Sequence, residues 1–108
     1  MQSMARHRRL IWAPLARDDL LDIWRYFARV GSVEVADKML REIHHVSERA
    51  AEHPFRGRAR DEVSVGLRSM LVHPHVILYR VSEDVVEVVR ILHQRRDLTA
   101  AFPRIVEP

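Results

Sequence analysis

Apolar positions recur along this chain at two helical spacings: Leu20, Ile23, Trp24 and Phe27, then Ala36, Met39, Leu40, Ile43, Val46 and Ala50. Steps of three and four residues put each set on one side of a helix, with the polar residues outside it. In the first stretch those polar residues are Arg17, Asp18, Asp22, Arg25 and Arg29. Pro14 suits a first helical turn, where its missing N–H costs nothing. Asp18 and Asp19 follow early, where negative charge favours the helix dipole. Gly31 is placed to cap the first helix, and Ser32 to open the second with Glu34 near its start. Pro54 ends the second. Two helices joined through Gly31-Ser32 form an antiparallel hairpin whose stripes are core. Trp12 and Trp24 are expected in that core.

The pattern then changes period. Arg8–Trp12 is short, becomes apolar, and stops at Ala13-Pro14, which predicts a first strand. Phe55–Gly66 has two glycines, clustered charge and no periodicity, and is expected as an exposed loop. Leu67–Val72, Val76–Val81 and Val85–Leu92 read as strands. Three-residue turns separate them, His73-Pro74-His75 and Ser82-Glu83-Asp84. The last strand is apolar on both faces, so a central, doubly covered position is expected. The order is β-α-α-β-β-β. It predicts an α+β fold, with a helical hairpin packed on one face of a small, curled, mainly antiparallel sheet. A length of 108 residues makes one domain over 1–108, with a core over about 8–98 and flexible ends.

Composition narrows the chemistry. Cysteine is absent, which excludes disulfides, thiolate zinc sites and a cysteine nucleophile. Neither a secretory h-region nor a membrane-length apolar run occurs, so a cytoplasmic protein with no membrane partner is expected. The pair His44-His45 has no ligand set at helical spacing, and neither metal nor cofactor is expected. The net charge of +3 is carried by 17 Arg and one Lys, Lys38. It is uneven. Residues 18–52 hold eight acids against five bases, whereas residues 53–81 hold five bases against two acids. The basic middle segment calls for a partner surface.

Ordered blocks then bring in a family. His53-Pro54-Phe55-Arg56-Gly57-Arg58-Ala59-Arg60-Asp61-Glu62 leads into Gly66-Leu67-Arg68-Ser69. Val76-Ile77-Leu78-Tyr79-Arg80-Val81 and Val89-Arg90-Ile91-Leu92-His93-Gln94-Arg95-Arg96-Asp97 follow. Together with Ala16, Asp19-Leu20, Ile23 and Tyr26, this series resembles the ParE-type toxins of the RelE/ParE superfamily, from about Leu10 to Phe102.

The resemblance implies a bacterial toxin neutralised by a cognate ParD-like antitoxin. Its implied target is DNA gyrase, and operator DNA is reached only through the antitoxin. The partner-binding residues it suggests are Arg58, Arg60, Arg68, His93, Arg95 and Arg96. The antitoxin is expected to lay a helix and an extended segment across the sheet and hairpin, since free sheet edges accept a strand. The alternative is a ribosome-dependent mRNA endoribonuclease of RelE type. It would use His93 as acid or base, with Arg58 and Arg68 on the phosphate. No lysine stands in the loop or strands to support that chemistry, and Tyr79 reads as sheet packing, so a binding protein without catalysis is expected. A bare DNA-binding module is a third class. The acidic balance of the helical segment speaks against it.

Overall fold

The computed structural model describes residues 8–102. The flexible ends expected from the sequence, including Arg6 and the tail beyond Phe102, lie outside the described residues. Strand β1 (Arg9–Trp12) leads into helix α1 (Pro14–Val30), helix α2 (Val33–Glu52) and a 3-10 turn (Pro54–Arg56). Strands β2 (Arg58–Ala59), β3 (Leu67–Val72), β4 (His75–Val81) and β5 (Val85–His93) follow, then a single turn of helix, α3 (Leu98–Ala101).

Both helices begin as their sequences predict. Pro14 opens α1, and the Ser32 hydroxyl accepts from the Val35 N–H at 3.1 Å to cap α2. Gly31 closes α1, its N–H donating to the Phe27 carbonyl, with φ at −123° rather than in the left-handed region. The early aspartates play a different part from the one expected. Neither stands in the first turn, and Asp19 turns inward to bind the sheet. No helix of the described residues is long and apolar enough to cross a membrane.

The sheet runs β1-β5-β4-β3-β2. β1 lies parallel to β5, and every other pair is antiparallel. Three expectations change here. The central strand is β4, whose first five residues are all buried; β5 lies beside it. The turn between β3 and β4 is the dipeptide His73-Pro74, because His75 already pairs with Val72 and His93. The expected loop after α2 is partly ordered: Arg58 and Ala59 pair with Ser69 and Arg68 as a fifth strand.

The α1–α2 hairpin covers one face. Ala16, Ile23, Ile43, Ala50 and Ala51 meet Val72, Ile77, Tyr79, Val86, Val88 and Ile91 there. A smaller cluster sits on the opposite face, where Leu67, Val76, Leu78 and Leu92 are covered by Val63, Val89, Leu98, Ala101 and Phe102. Each fully buried aliphatic side chain contributes roughly 1.5–3 kcal/mol. The main core therefore carries the fold, and the second cluster fastens the chain's last described turn to the sheet. Of the two tryptophans expected in the core, Trp12 packs against it and Trp24 does not. Trp12 is half-buried and stacks on His44 with centroids 5.6 Å apart, and Trp24 donates its indole N–H to Asp37 at 2.8 Å.

Candidate functional site

The basic segment is organised around Tyr79. This side chain is fully buried, and its hydroxyl donates to the Pro54 carbonyl at 2.6 Å. Burial pushes the phenol's pKa above its ordinary value, against the pull of the Arg68 charge and a backbone hydrogen bond from Gly57. Arg68 lies opposite Tyr79 on β3 and donates through Nη1 to the carbonyls of Gly57, at 2.6 Å, and Phe55, at 3.3 Å. Two strand residues, Tyr79 and Arg68, thus hold three carbonyls of one turn, those of Pro54, Phe55 and Gly57. Phe55 is left 63% exposed, with the guanidinium carbons of Arg68 and Arg8 at 5.1 and 5.6 Å from its ring centroid. Gly57 is dictated by closeness: a Cβ there would meet the Tyr79 hydroxyl at 2.0 Å and the Ser69 carbonyl at 2.8 Å.

The next arginines are shared out differently. Arg60 donates to the Ser69 hydroxyl at 2.9 Å and stands 3.7 Å from Glu62. Arg80 holds the following loop through the Val65 carbonyl and the Ser64 hydroxyl, at 2.8 and 2.7 Å. Asp61 accepts from the Gly66 N–H, where φ is +82°. Arg68 therefore binds carbonyls, not Asp61 or Glu62. Arg58 is exposed, has no carboxylate partner among the described residues, and lines a groove of about 400 Å³ with Arg49 and Arg56.

A second polar centre joins α1 to β5. The β4–β5 ladder shifts register between Leu78 and Tyr79, leaving Val89 without an opposite residue. β1 ends at the same level, with Trp12 beside Val88. Beyond the end of β1, β5 has no strand neighbour on that side, and its backbone N–H groups need other partners. Asp19 supplies one. Its carboxylate accepts from the Ile91 N–H at 2.9 Å and from both ends of the Arg90 guanidinium at 2.7 and 2.9 Å. That bidentate pair, with side chains only 12% and 15% exposed, raises the pKa of Arg90. Asp19 and Arg90 stand inside the blocks that carry the family resemblance, but sequence alone did not link residues 71 positions apart. The available signal was an arginine inside a mainly apolar strand.

His93 lies at the other end of the sheet. It is exposed, and its Nδ1 accepts from the Arg95 N–H at 3.1 Å. With His75, Asp22, Tyr26, Phe27 and Arg96 it borders a cavity of about 610 Å³. His75 is buried there. Its pKa is lowered by burial first, then by the neighbouring His93 and His73. Arg95 and Arg96 are exposed. Asp97 makes no ion pair with either and caps α3 by accepting from the Thr99 N–H.

The register places His93 two strands from Arg68 and, along β4, as far away as His75 is from Tyr79. At 4.7–4.9 Å per strand and about 3.4 Å per residue, that is roughly 16 Å between backbones. His93, Arg58 and Arg68 therefore do not converge. His44 on α2 stands 3.6 Å from Glu48, an exposed i,i+4 pair. No three potential ligands gather for a metal among the described residues.

The comparisons agree with this architecture. A family model described as "ParE toxin of type II toxin-antitoxin system, parDE" matches residues 10–98. The chain is 40% identical over 91 residues to Toxin ParE1 of Mycobacterium tuberculosis, covering 83% of this chain and 93% of that protein. It is 38% identical over 85 residues to Toxin ParE1 of Caulobacter vibrioides, covering 79% and 88%. Among solved structures, a chain of the chromosomal ParDE TA system from P. aeruginosa superposes with a TM-score of 0.71. It is 21% identical, and the match covers 81% of this chain and 96% of that one. A YoeB/ParE toxin from Agrobacterium tumefaciens gives a TM-score of 0.54 at 21% identity, over 79% and 96%. These two likenesses carry the fold.

Proposed function

Because this chain belongs to the ParE toxin family of type II toxin–antitoxin systems, we propose that a ParD-like antitoxin holds it inactive and that the released toxin inhibits DNA gyrase by binding. In this reading the protein works in the cytoplasm, makes and breaks no bond itself, and meets operator DNA only through the antitoxin. The observation that supports a binding role is the dispersal of the groups a ribonuclease would assemble. Cleavage next to a 2′-hydroxyl needs an acid–base group and phosphate-binding cations within hydrogen-bond reach of one phosphate. Here His93 is roughly 16 Å from the Arg68 backbone by the sheet spacing, and the Arg68 guanidinium is engaged by two carbonyls.

The partner-binding residues then divide by role. Arg58, His93, Arg95 and Arg96 are exposed and available to a partner. Arg60 and Arg68 are half-buried and act through the shape they give the Pro54–Arg60 turn. Purified toxin supplies the test. Inhibition of gyrase supercoiling, relieved by the antitoxin and without cleavage of ribosome-bound mRNA, is the expected result. Cleavage of mRNA with supercoiling untouched would overturn the reading and make His93→Ala the first variant to examine.

A further inference from the structure

The cations of α2 are scattered along the sequence but gathered in space. Lys38, Arg41, His45 and Arg49 stand at steps of three, four and four residues, which makes one stripe along the helix. Lys38, Arg41, His45, Val46 and Leu71 border one hollow of about 540 Å³ between α2 and β3. The groove holding Arg49, Arg56 and Arg58 shares Val46 and Leu71 with it. The two form one trough along the sheet edge. Five exposed cations border it, Lys38, Arg41, Arg49, Arg56 and Arg58, with one acid, Glu42. None of the five has a carboxylate partner among the described residues. A groove lined by one sign of charge focuses its field on a polyanion.

An aromatic platform stands at one end. Phe55 precedes Arg56 in the same 3-10 turn, is 63% exposed and belongs to neither core cluster. The guanidinium carbons of Arg68 and Arg8 lie 5.1 and 5.6 Å from its ring centroid. Both guanidiniums are fixed by backbone carbonyls, Arg68 by those of Phe55 and Gly57 and Arg8 by that of Ser82 at 2.9 Å. The ring and its two cations are thus held in place without a partner. The floor of the trough adds an open strand edge. β2 covers β3 only as far as Ser69, and no strand of the described residues pairs with residues 70–72 on that side. The Leu67 carbonyl accepts from the Arg60 N–H, so it points toward β2. Strand alternation points the N–H and C=O of Leu71 the same way, beyond the end of β2. A donor beside an acceptor there suits the edge of a base.

We propose that this trough binds single-stranded DNA, with phosphates along Lys38, Arg41, Arg49, Arg56 and Arg58 and an unpaired base on the Phe55 platform. The helical stretch from Lys38 to Arg49 spans roughly 16 Å. At about 3.4 Å per phosphate along one strand, that length takes about five phosphates. The platform separates the polyanions that could answer the cations. A duplex keeps its base faces stacked inside, and an acidic polypeptide has no bases to stack. An unpaired strand offers phosphates and base faces together. Operator DNA, a duplex, therefore stays with the antitoxin. The proposal goes beyond inhibition of gyrase and rests on that reading only in naming DNA rather than RNA.

The test titrates the full chain, free of antitoxin, into a labelled oligothymidylate of about 12 nucleotides and follows anisotropy over a salt series. Five phosphate contacts on a single strand predict a slope of log affinity against log salt of about −3.5. That is a loss of about a hundredfold from about 50 to 200 mM salt. Arg41→Gln with Arg49→Gln should bring the slope to about −2. Phe55→Ala should weaken binding about fivefold or more at every salt concentration, with the slope unchanged. Thermal unfolding checks that each variant folds. An unchanged slope in the arginine variant would overturn the phosphate track, and unchanged affinity in Phe55→Ala would overturn the platform. Equal affinity for a duplex of the same length, or for polyglutamate of the same charge, would overturn the single-strand assignment. Tighter binding of an oligouridylate would overturn the choice of DNA and assign the trough to RNA. Supercoiling assays on the same proteins keep the two readings apart. A chain that binds the oligonucleotide but leaves gyrase active would end the gyrase reading alone, and one that inhibits gyrase without binding the oligonucleotide would end this one.

Discussion

Gly57→Ala tests the central claim about the arginine-bearing turn, that it is held by close approach to Tyr79. The backbone of Gly57 has φ −67° and ψ 153°, which any residue adopts, so alanine brings no conformational strain of its own. The cost comes from contact. The new methyl would lie 2.0 Å from the Tyr79 hydroxyl, 2.9 Å from its Cζ and 2.8 Å from the Ser69 carbonyl. Two of these atoms belong to a fully buried ring and the third to β3 backbone, so none yields freely. Overpacking of this kind costs about 1–3 kcal/mol. Displacing the hydroxyl also strands the Pro54 carbonyl, which costs about 1–3 kcal/mol. Together the expected loss is about 2–6 kcal/mol, large against a typical stability of roughly 5–15 kcal/mol.

Urea unfolding of four proteins measures it: the parent, Gly57→Ala, Tyr79→Phe and the double variant. Tyr79→Phe already forfeits the hydrogen bond and opens the space at the hydroxyl, so the double variant should lose at least about 1 kcal/mol less than the sum of the singles. A Gly57→Ala protein within about 0.5 kcal/mol of the parent would refute the reasoning, since that is the range of a neutral surface change. Strict additivity would locate the damage somewhere other than this contact.

Asp19→Asn should cost about 2–4 kcal/mol, near the range for removing one member of a buried pair, because it leaves Arg90 largely enclosed without its charge partner; thermal unfolding reads this, and Asp18→Asn, on the exposed side of α1, serves as the silent control. Arg68→Lys keeps the charge but puts a compact, strongly hydrated ammonium where the planar Nη1 reaches both the Phe55 and Gly57 carbonyls, so it should lose about 1.5 kcal/mol and weaken partner binding in parallel. For His75, the folded pKa lies below the unfolded value of about 6.5, so the unfolded chain binds the extra proton. Its contribution to stability is complete above that value and falls as pH drops below it, levelling off once the folded form is protonated too. Stability measured from pH 7.5 to 5.5 should decline, and His75→Phe should flatten the decline; an unaltered slope in the variant would assign it to other groups.

How much of this was legible beforehand follows from the range of each interaction. Helix boundaries and caps depend on neighbours within a few residues, and Pro14, Ser32 and Pro54 announced them. The strands after Gly66 were also local, as alternating or continuous apolar runs. Their ranking was not. A strand apolar on both faces reads as central whether it is β4 or its neighbour β5, because both are covered on two sides. Arg58–Ala59 could not be recognised as a strand at all: two residues carry no periodicity, and their pairing is supplied by Ser69 and Arg68.

The candidate surfaces divide the same way. Sequence alone singled out Arg58, Arg60 and Arg68 as one basic block and His93 with Arg95 and Arg96 as another. It could not tell an available guanidinium from an engaged one. Arg68 is occupied by carbonyls 11 and 13 residues away, and Arg90 by a carboxylate 71 residues away. Averaged over residues 18–52, the helical segment is acidic, which hid the stripe from Lys38 to Arg49. A helix sorts its charges by direction as well as by number, and only its packing against β3 turned that stripe toward an open edge.

The hydrophobic periods, the caps and the ordered family blocks were therefore determined by the sequence itself, because each is written in neighbouring residues. Tertiary structure decided which arginines remain free, where the sheet stays open, and that His93 stands apart from Arg58 and Arg68. Those outcomes depend on strand order and register, which join residues far apart in the chain.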